Sequence, residues 1–492
     1  MNDQIDIYPA PIPQKPESFD ATRLTVPHSA QVFSIPLNSY HLVYSPLHHL
    51  AGLVEQKYLP LIVNALSKSH VAAEPLPTNI RQIIRSLKKQ ILQPSPPNGK
   101  ITHPLFLGFI TTWKCNLGCL YCDFVHADTH VPAMSMETAK AGLDYYFDVL
   151  ASSHINKADI QFFGGEPFLE KELVAFTVAY ARKIGRQRNI QPIFEATTNG
   201  MFSIQWCRWV ADNFDSITLS LDGREDNHNR FRLTAGGKES FSTVIKNARL
   251  LSESGIDLTI RMCITDANVD EMEETAAWIA DQITCDTVCF ESLVPSDLSK
   301  KHNLQPPDPF KFAHNFCLAE RILNEHGIQT VTSGTDFDQV QLSFCPVGKD
   351  ALIITPEGHI NACYLTEEKW QKAGFNLNMG IINGIQQNDA RVILHQPQIE
   401  SIRQLGNCRK PLCLNCFCRY SCAGGCLVNH STAFVQDQPD QVCIQTRLIT
   451  LARLLSRIGA EEQWQKLVNH MQDYAPFVQE NDFNILRIID GK

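Results

Sequence analysis

The sequence predicts an α/β protein built on a parallel sheet, either open or curled into a barrel, with a small α+β module before it and a cysteine-rich region after it. Three observations support this fold class. Apolar, β-rich runs alternate with helical stretches from residue 102 onward. Polar clusters follow four successive runs, and the cysteines concentrate at 115–122 and between 345 and 443. Repeated strand–helix alternation is typical of parallel sheets.

The first hundred residues predict a separate module, for which we expect the bounds 1–100. Residues 1–30 are rich in Pro, Asp and Gln, which indicates loose order. Apolar runs on both sides of "LNS" (37–39) predict a β-hairpin, and "LVEQKYLPLIVNALS" (53–67) has helical spacing. The stretch "QPSPPNGK" (93–100) predicts a linker.

The next segment, 101–335, predicts the central sheet. Its six predicted strands are 104–112, 158–163, 192–198, 216–221, 257–264 and 286–290. Helical patterns such as "SMETAKAGLDYYFDVLA" and "EKELVAFTVAYARKIG" lie between them. In barrels of parallel strands the chemistry lies at the C-terminal ends of the strands, which places the cysteines after the first strand at that end.

Composition excludes several classes of function. The 492 residues carry a formal net charge of −9, which gives no sign of a nucleic-acid-binding surface. The N-terminus lacks the pattern of a signal peptide, and no apolar run approaches eighteen residues, so we expect a cytoplasmic protein with no membrane partner. In a reducing compartment, 17 cysteines indicate metal ligands or buried apolar groups rather than disulfides.

The stretch "TTWKCNLGCLYCDF" (111–124) holds three cysteines in a C-x3-C-x2-C spacing, namely Cys115, Cys119 and Cys122. Three thiolates can hold three irons of a 4Fe–4S cube and leave the fourth iron open for a small molecule. The alternative is a zinc loop with a distant fourth ligand, for which His126 is the obvious candidate.

Polar residues follow the next three predicted strands. "GGEP" (164–167) places two glycines beside a carboxylate, "TTNG" (197–200) offers hydroxyl and amide groups, and "SLDG" (220–223) precedes Arg230 and Arg232. An arginine can hold a carboxylate through two parallel hydrogen bonds. Four polar clusters at four successive strand ends favour a shared site over simple turns.

These motifs resemble those of the radical S-adenosylmethionine (SAM) superfamily, with Tyr121 as the aromatic residue before the third cysteine. The resemblance implies a partial (β/α)6 barrel and a 4Fe–4S cluster on Cys115, Cys119 and Cys122. It also implies that the open iron binds the amino and carboxylate groups of SAM. The reduced cluster would then split SAM to a 5′-deoxyadenosyl radical that abstracts hydrogen from a substrate.

The same resemblance assigns the SAM contacts. Glu166, with Gly164 and Gly165, would hold the amino group of the methionine moiety. Ser220 and Arg232 would hold its carboxylate. Thr198 and Asn199 would lie near the ribose or adenine.

The second cysteine block, in the predicted domain 340–450, resembles the SPASM extension of a branch of these enzymes. The resemblance implies two auxiliary 4Fe–4S clusters, and so three clusters in all. Cys413, Cys416, Cys422 and Cys443 would complete one auxiliary cluster. The other would take Cys345, Cys363 and Cys426, with its fourth ligand left open among Cys408, Cys418, Asp350 and substrate.

SPASM enzymes mostly modify peptides, so the resemblance implies a ribosomally made precursor peptide as substrate, with flavodoxin or ferredoxin as electron donor. The N-terminal module would capture the peptide by strand addition. One alternative is formylglycine formation of the anaerobic sulfatase-maturase type, although Tyr364 stands where that group has an aspartate. The other is a metal-stabilised peptide-binding scaffold without catalysis. The last segment, 451–492, predicts C-terminal helices.

Overall fold

The computed structural model describes most of the chain and leaves several segments out. The described residues are 5–7, 31–67, 76–89, 106–122, 124, 133–332, 339–341, 344, 351–384, 390–405, 411–429, 438–470, 477–478, 480 and 482–488. Four candidate ligands therefore lie outside the described residues: His126, Cys345, Asp350 and Cys408.

The N-terminal module is a four-stranded antiparallel sheet in the order β1-β4-β3-β2. Its strands are β1 (Ile5–Ile7), β2 (Phe33–Leu37), β3 (Tyr40–Ser45) and β4 (Leu50–Glu55). The predicted hairpin is confirmed, because β2 pairs with β3 across Asn38 and Ser39. The prediction of a helix from residue 53 is wrong at its start. Leu53 pairs with Leu42 in the sheet, and the helix begins only at Leu59.

Two helices, Leu59–Ser67 and Thr78–Leu87, cover this sheet. Their buried aliphatic residues form a core of their own with Val43, Leu50 and Val54. Ile485, near the C-terminus, also packs into that core. The core of the N-terminal module therefore includes a residue from near the C-terminus.

The central sheet has eleven strands in the order β11-β10-β9-β8-β7-β6-β5-β12-β13-β14-β15. Its parallel part contains the six predicted strands, with ends that differ by a few residues, and one short further strand. These strands are β5 (Phe106–Ile110), β6 (Lys157–Phe163), β7 (Gln191–Thr198), β8 (Ser216–Ser220), β9 (Asp257–Ile264), β10 (Thr287–Ser292) and β11 (Gln329–Val331).

The sheet continues into the cysteine-rich region, which the sequence had indicated to be short of regular structure. That expectation is wrong for residues 351–394. β12 (Ala351–Ile354) pairs in parallel with β5, and β13 (His359–Asn361), β14 (Asn378–Asn383) and β15 (Arg391–Leu394) follow antiparallel. All four residues of β12 are buried, so this short apolar run forms an interior strand.

Helices connect the parallel strands, and their ends follow local sequence signals. The Ser135 side chain accepts a hydrogen bond from the Thr138 N–H at the start of Met136–Ser152. Asp308 does the same for Phe310 and Lys311, with Pro309 at the first helical position. The helices between β5 and β11 are Met136–Ser152, Lys171–Arg188, Ile204–Asn213, Glu225–Phe231, Phe241–Ser254, Met272–Gln282, Asp297–Lys301 and Pro309–Glu325.

Alternation along the strands separates an apolar face from a polar face. In β9, Leu258, Ile260, Met262 and Ile264 are buried in the main core, whereas the residues between them are not fully buried. The polar face of β6 to β9 carries Gln161, Glu195, Thr218 and Arg261 around a cavity of about 190 Å³. The sheet thus presents polar side chains to the space where substrate chemistry is expected.

In the C-terminal part, the described residues form the helices Glu367–Lys372, Gln396–Leu405, Gln441–Arg457 and Glu461–Asn469. The predicted domain boundary at 450 falls inside Gln441–Arg457. Every residue of this helix from 444 to 452 is buried, so it is interior rather than amphipathic. Among the described helices, none combines the length and apolar character needed to cross a bilayer.

Candidate active site

The cysteine loop that follows β5 is fixed by the segment that follows β8. The Gly118 N–H donates to the Leu233 carbonyl (2.8 Å), and the Leu120 N–H donates to the Phe231 carbonyl (3.0 Å). Leu117 and Thr234 form an isolated β-bridge. The conformation of the loop therefore depends on residues more than a hundred positions away.

Hydrogen-bond donors surround the sulfurs of this loop. Cys115 Sγ accepts from the Leu117 N–H (3.4 Å) and from Asn199 Nδ2 (3.3 Å). Arg232 Nη1 lies 3.9 Å from Cys119 Sγ. Burial raises the pKa of the Cys115 thiol to about 11 and that of Cys119 to about 12. Cationic iron and these donors would together stabilise the thiolate forms, so the residues suit an iron–sulfur cluster.

Cys115, Cys119 and Cys122 are all partly exposed. Within the described ranges, no three His, Cys, Asp or Glu side chains converge closely enough to hold a single metal ion.

The two glycines of "GGEP" permit a close approach to the strand that leads into the cysteine loop. The Gly165 N–H donates to the Thr112 carbonyl and the Glu166 N–H to the Lys114 carbonyl, both at 2.9 Å. A Cβ atom on Gly165 would lie 2.2 Å from the Lys114 carbonyl oxygen. Gly164 has φ +149°, which favours glycine. The two loops are therefore held together at these glycines, and the N–H groups of Gly165 and Glu166 are already engaged.

Glu166 is buried and connects two strand ends. Its carboxylate accepts from Thr198 Oγ1 (2.8 Å), from the Asn199 N–H (2.7 Å) and from the Phe168 N–H (3.1 Å). Burial raises its pKa to about 7, although these hydrogen bonds oppose the shift. Three of the residues expected at a SAM site thus form one hydrogen-bonded unit.

Arg232 pairs with a residue that sequence reasoning missed. Its Nε donates to Asp222 Oδ2 at 2.8 Å, and both side chains are almost fully buried. Asp222 also accepts from the Tyr121 hydroxyl (2.5 Å) and from the Cys263 N–H (3.0 Å). The signal was present, because Asp222 is the aspartate of "SLDG". Ser220 ends β8 two residues earlier and is half-buried.

A second polar group lies deeper along the strands, around the cavity. The Tyr364 hydroxyl donates to Gln161 Oε1 (3.1 Å), and Gln161 Nε2 donates to Glu195 Oε2 (2.6 Å). The Tyr364 ring packs against Phe106 and Phe163, and burial raises the pKa of its phenol well above the usual range. The phenol therefore stays neutral and acts as a hydrogen-bond donor.

Nearby, Arg261 Nη2 lies 3.3 Å from Glu291 Oε1, which also accepts from the Cys289 thiol (3.2 Å). The ion pair joins β9 to β10 beside the same cavity.

The C-terminal cysteines form a more enclosed group. Cys413 and Cys416 are buried, whereas Cys422, Cys426, Cys443 and Cys363 are partly exposed. The Cys363 sulfur accepts from the Leu365 N–H and the Cys426 sulfur from the Asn429 N–H, both at 3.4 Å. These N–H···S contacts repeat the Leu117–Cys115 arrangement, so they suit thiolate ligands in the same way.

Cys418 differs from its neighbours in sequence. Its thiol lies 3.3 Å from Thr450 Oγ1 and 3.7 Å from the Thr446 carbonyl, both on the buried helix Gln441–Arg457. This environment is that of a packed core cysteine.

The comparisons with known proteins agree with this geometry. The radical SAM superfamily model matches residues 109–279. The cysteine-type anaerobic sulfatase-maturating enzyme of Clostridium novyi is 26% identical over 172 residues, which cover 32% of this chain and 44% of that enzyme. The mycofactocin maturase MftC of Mycolicibacterium smegmatis is 23% identical over 356 residues, covering 70% and 83%.

A solved structure shares the fold. Native anSMEcpe with bound AdoMet and Kp18Cys peptide matches with a TM-score of 0.54 and 18% identity, over 72% of this chain and 98% of that one. The match to the Clostridium novyi enzyme spans less than half of its length. Residues 109–279 are therefore a radical SAM domain, in a chain that is similar in sequence to the maturase MftC and in fold to anSMEcpe.

Proposed function

We propose that this protein is a radical SAM/SPASM maturase that modifies a residue of a ribosomally made peptide. The observation that carries the proposal is the convergence of the Cys115 loop, Glu166, Asn199 and Arg232 at one end of the parallel strands. Cys115, Cys119 and Cys122 would hold the SAM-binding 4Fe–4S cluster. When bound and reduced, such a cluster would supply the electron for cleavage of SAM and so the radical chemistry by which a hydrogen atom is taken from the substrate.

The chain's own residues would orient SAM. We assign the methionine ammonium to Glu166 and the carbonyls of Gly164 and Gly165, because an ammonium group donates hydrogen bonds and these groups accept them. A cation beside Glu166 would return its carboxyl to the charged form. Arg232, fixed by Asp222 and with Nη1 directed toward Cys119, would hold the methionine carboxylate together with Ser220. Thr198, Asn199 and Tyr121 would complete the pocket wall.

The substrate residue would enter the cavity between Tyr364 and Arg261. Because the Tyr364 phenol stays neutral, it would orient a substrate carbonyl or hydroxyl rather than remove a proton as a base. This disfavours a formylglycine-forming reaction that relies on a carboxylate at that position.

Two auxiliary 4Fe–4S clusters are part of the proposal. Cys413, Cys416, Cys422 and Cys443 would hold one of them. Cys363 and Cys426 would share the other with Cys345, which lies outside the described residues. A flavodoxin or ferredoxin would deliver the electrons.

The N-terminal module, proposed as residues 1–100, would capture the precursor peptide. The edge strands of this sheet are β1 and β2, and β1 is held by only three residue pairs. β1 pairs with Leu50–Gly52 of β4, and the Ser34 N–H of β2 donates to the Phe483 carbonyl. An added peptide strand would therefore replace β1, which covers only half of β4. A labelled synthetic peptide of residues 1–12 should bind a variant lacking residues 2–8 more tightly than it binds the full chain.

The test of the enzyme is anaerobic purification and reconstitution, followed by measurement of iron, sulfide and 5′-deoxyadenosine release from SAM after reduction. About twelve irons per chain with release of 5′-deoxyadenosine is expected for three cubes. Cys115→Ala/Cys119→Ala/Cys122→Ala should lose about four irons and all release. Bound zinc without SAM cleavage would overturn the proposal and favour the scaffold.

A further inference from the structure

Arg447 is a buried cation to which the proposed function assigns no role. It lies on helix Gln441–Arg457, is only 1% exposed, and is among the largest fully buried side chains of the protein. Its Nη1 donates to the carbonyls of Phe477 (3.1 Å) and Glu480 (2.9 Å). Its Nε and Nη2 are buried without a nitrogen or oxygen partner among the described residues.

Such an arrangement is costly unless an anion faces the two remaining donors. A buried donor of a charged group that lacks an acceptor destabilises the fold, and a buried charge needs an opposite charge beside it. The carbonyls of Phe477 and Glu480 are neutral, so they do not cancel the charge of the guanidinium. The site therefore calls for negative charge on its other side.

The Cys416 thiol is hydrogen-bonded to this guanidinium, and the thiols of Cys418 and Cys443 lie close to it. The ionisable groups that act most strongly on the Arg447 guanidinium are those of Cys416, Cys418 and Cys443. Cys443 lies one helical turn before Arg447, so the two side chains share a face of the helix. Cys416 approaches from the loop that also carries Cys413. Cys413, Cys416 and Cys443 belong to one proposed ligand set, whereas Cys418 packs on Thr450.

We propose that Arg447 is the counter-charge of the auxiliary cluster held by Cys413, Cys416, Cys422 and Cys443, and that it raises the reduction potential of this cluster. The inference rests on the proposed function, because it requires that cluster. The net charge of the surroundings and hydrogen bonds to the sulfurs set the potential of an iron–sulfur cluster. Reduction adds a negative charge, so a fixed cation beside the sulfurs favours the reduced state.

The test uses the Cys115→Ala/Cys119→Ala/Cys122→Ala chain as parent, so that only auxiliary clusters contribute. Arg447→Met removes the charge, and Arg447→Lys keeps it. Arg453→Met is the matched control, because Arg453 lies on the same helix but pairs with Glu320. Each variant is reconstituted anaerobically, its iron and sulfide are counted, and its midpoint potentials are measured by a redox titration followed by electron paramagnetic resonance.

One midpoint potential should move to a more negative value in Arg447→Met and remain near the parent value in Arg447→Lys and Arg453→Met. Loss of about four irons in Arg447→Met alone would support the same role, since the cluster then needs the charge to form. Equal iron and equal potentials in Arg447→Met and the parent would overturn it. Equal losses of iron in the Met and Lys variants would also overturn it, because packing rather than charge would then be the cause.

A parent chain without auxiliary iron would overturn the proposed cluster itself, and the role of Arg447 with it. That result would appear before any Arg447 variant is made, which separates the two failures.

Discussion

Each of the two cysteine regions of this protein contains a buried arginine, but the two arginines differ in how their charge is compensated. At the Cys115 loop, Arg232 is neutralised by Asp222 and touches only the edge of the sulfur site. In the C-terminal block, Arg447 donates to two backbone carbonyls and lies beside thiols, and no carboxylate pairs with it among the described residues. The first region therefore has a charge-balanced, partly exposed wall beside the proposed SAM site. The second is more enclosed, and ionised thiols would balance its positive charge.

Replacing each arginine by methionine in the metal-free protein tests this difference, and we expect these changes to alter the free energy of unfolding most. Arg232→Met should lower the free energy of unfolding by about 3–5 kcal/mol, because it leaves the Asp222 carboxylate buried without its partner. Arg447→Met should cost less, since its backbone carbonyl partners are neutral and the thiols beside it can take up a proton when the charge is removed. Thermal unfolding of both apoproteins measures the contrast. Equal losses of stability would show that the two arginines play similar structural roles.

A second expectation concerns pH. Burial raises the Glu166 pKa from 4.5 to about 7. Because the folded value is the higher one, the protonated carboxyl contributes its full stability below pH 4.5. That contribution, about 3 kcal/mol, is lost as the pH rises through 7. Denaturant unfolding at pH 5 to 8 should show this slope in the wild type, and Glu166→Gln should lack it.

Glu195→Gln, which alters an exposed carboxylate on β7, is the control and should retain the slope. SAM binding should weaken up to tenfold per pH unit below 7, since the ammonium group needs the charged Glu166 carboxylate. Affinity for SAM that does not change between pH 6 and 8 would count against the assignment of Glu166.

A third prediction separates ligand from core cysteines in the enclosed region. Cys418→Ala should leave the iron content unchanged and lower the free energy of unfolding by about 1–2 kcal/mol, because its thiol packs against Thr450. Cys416→Ala should remove about four irons. Iron analysis of the two reconstituted variants decides the point. A loss of iron in Cys418→Ala would instead identify Cys418 as a ligand. It would then be the fourth ligand of the other auxiliary cluster, which has only three assigned cysteines.

The smallest expected effect is that of Tyr364→Phe. Removal of the hydroxyl breaks one hydrogen bond to Gln161 and should cost about 0.5–1.5 kcal/mol. The ring contacts with Phe106 and Phe163 remain. Release of 5′-deoxyadenosine should persist, while product formation from the precursor peptide should fall. A fall of both to the same degree would place Tyr364 with the SAM residues instead.

The alternation of strands and helices and the positions of the polar strand ends can be predicted from the amino-acid pattern alone. Short apolar strands separated by periodic helices leave few other arrangements, because parallel strands need crossover helices. The same rule brings Glu166, Thr198 and Asn199 to one edge, and the structure joins them by hydrogen bonds. The spacing of the cysteines, which predicts cluster sites, can also be recognised in the sequence.

The hydrogen-bond and packing partners of these residues, in contrast, depend on how the whole chain folds. The Asp222–Arg232 pair, the docking of the cysteine loop on residues 231–235 and the entry of β12 beside β5 all join segments that are distant or differently folded. Arg447 gave no signal in the sequence, since an arginine on an apolar helix is indistinguishable from one at the surface. Its burial among thiols follows from packing between distant segments, and local sequence patterns do not encode such packing.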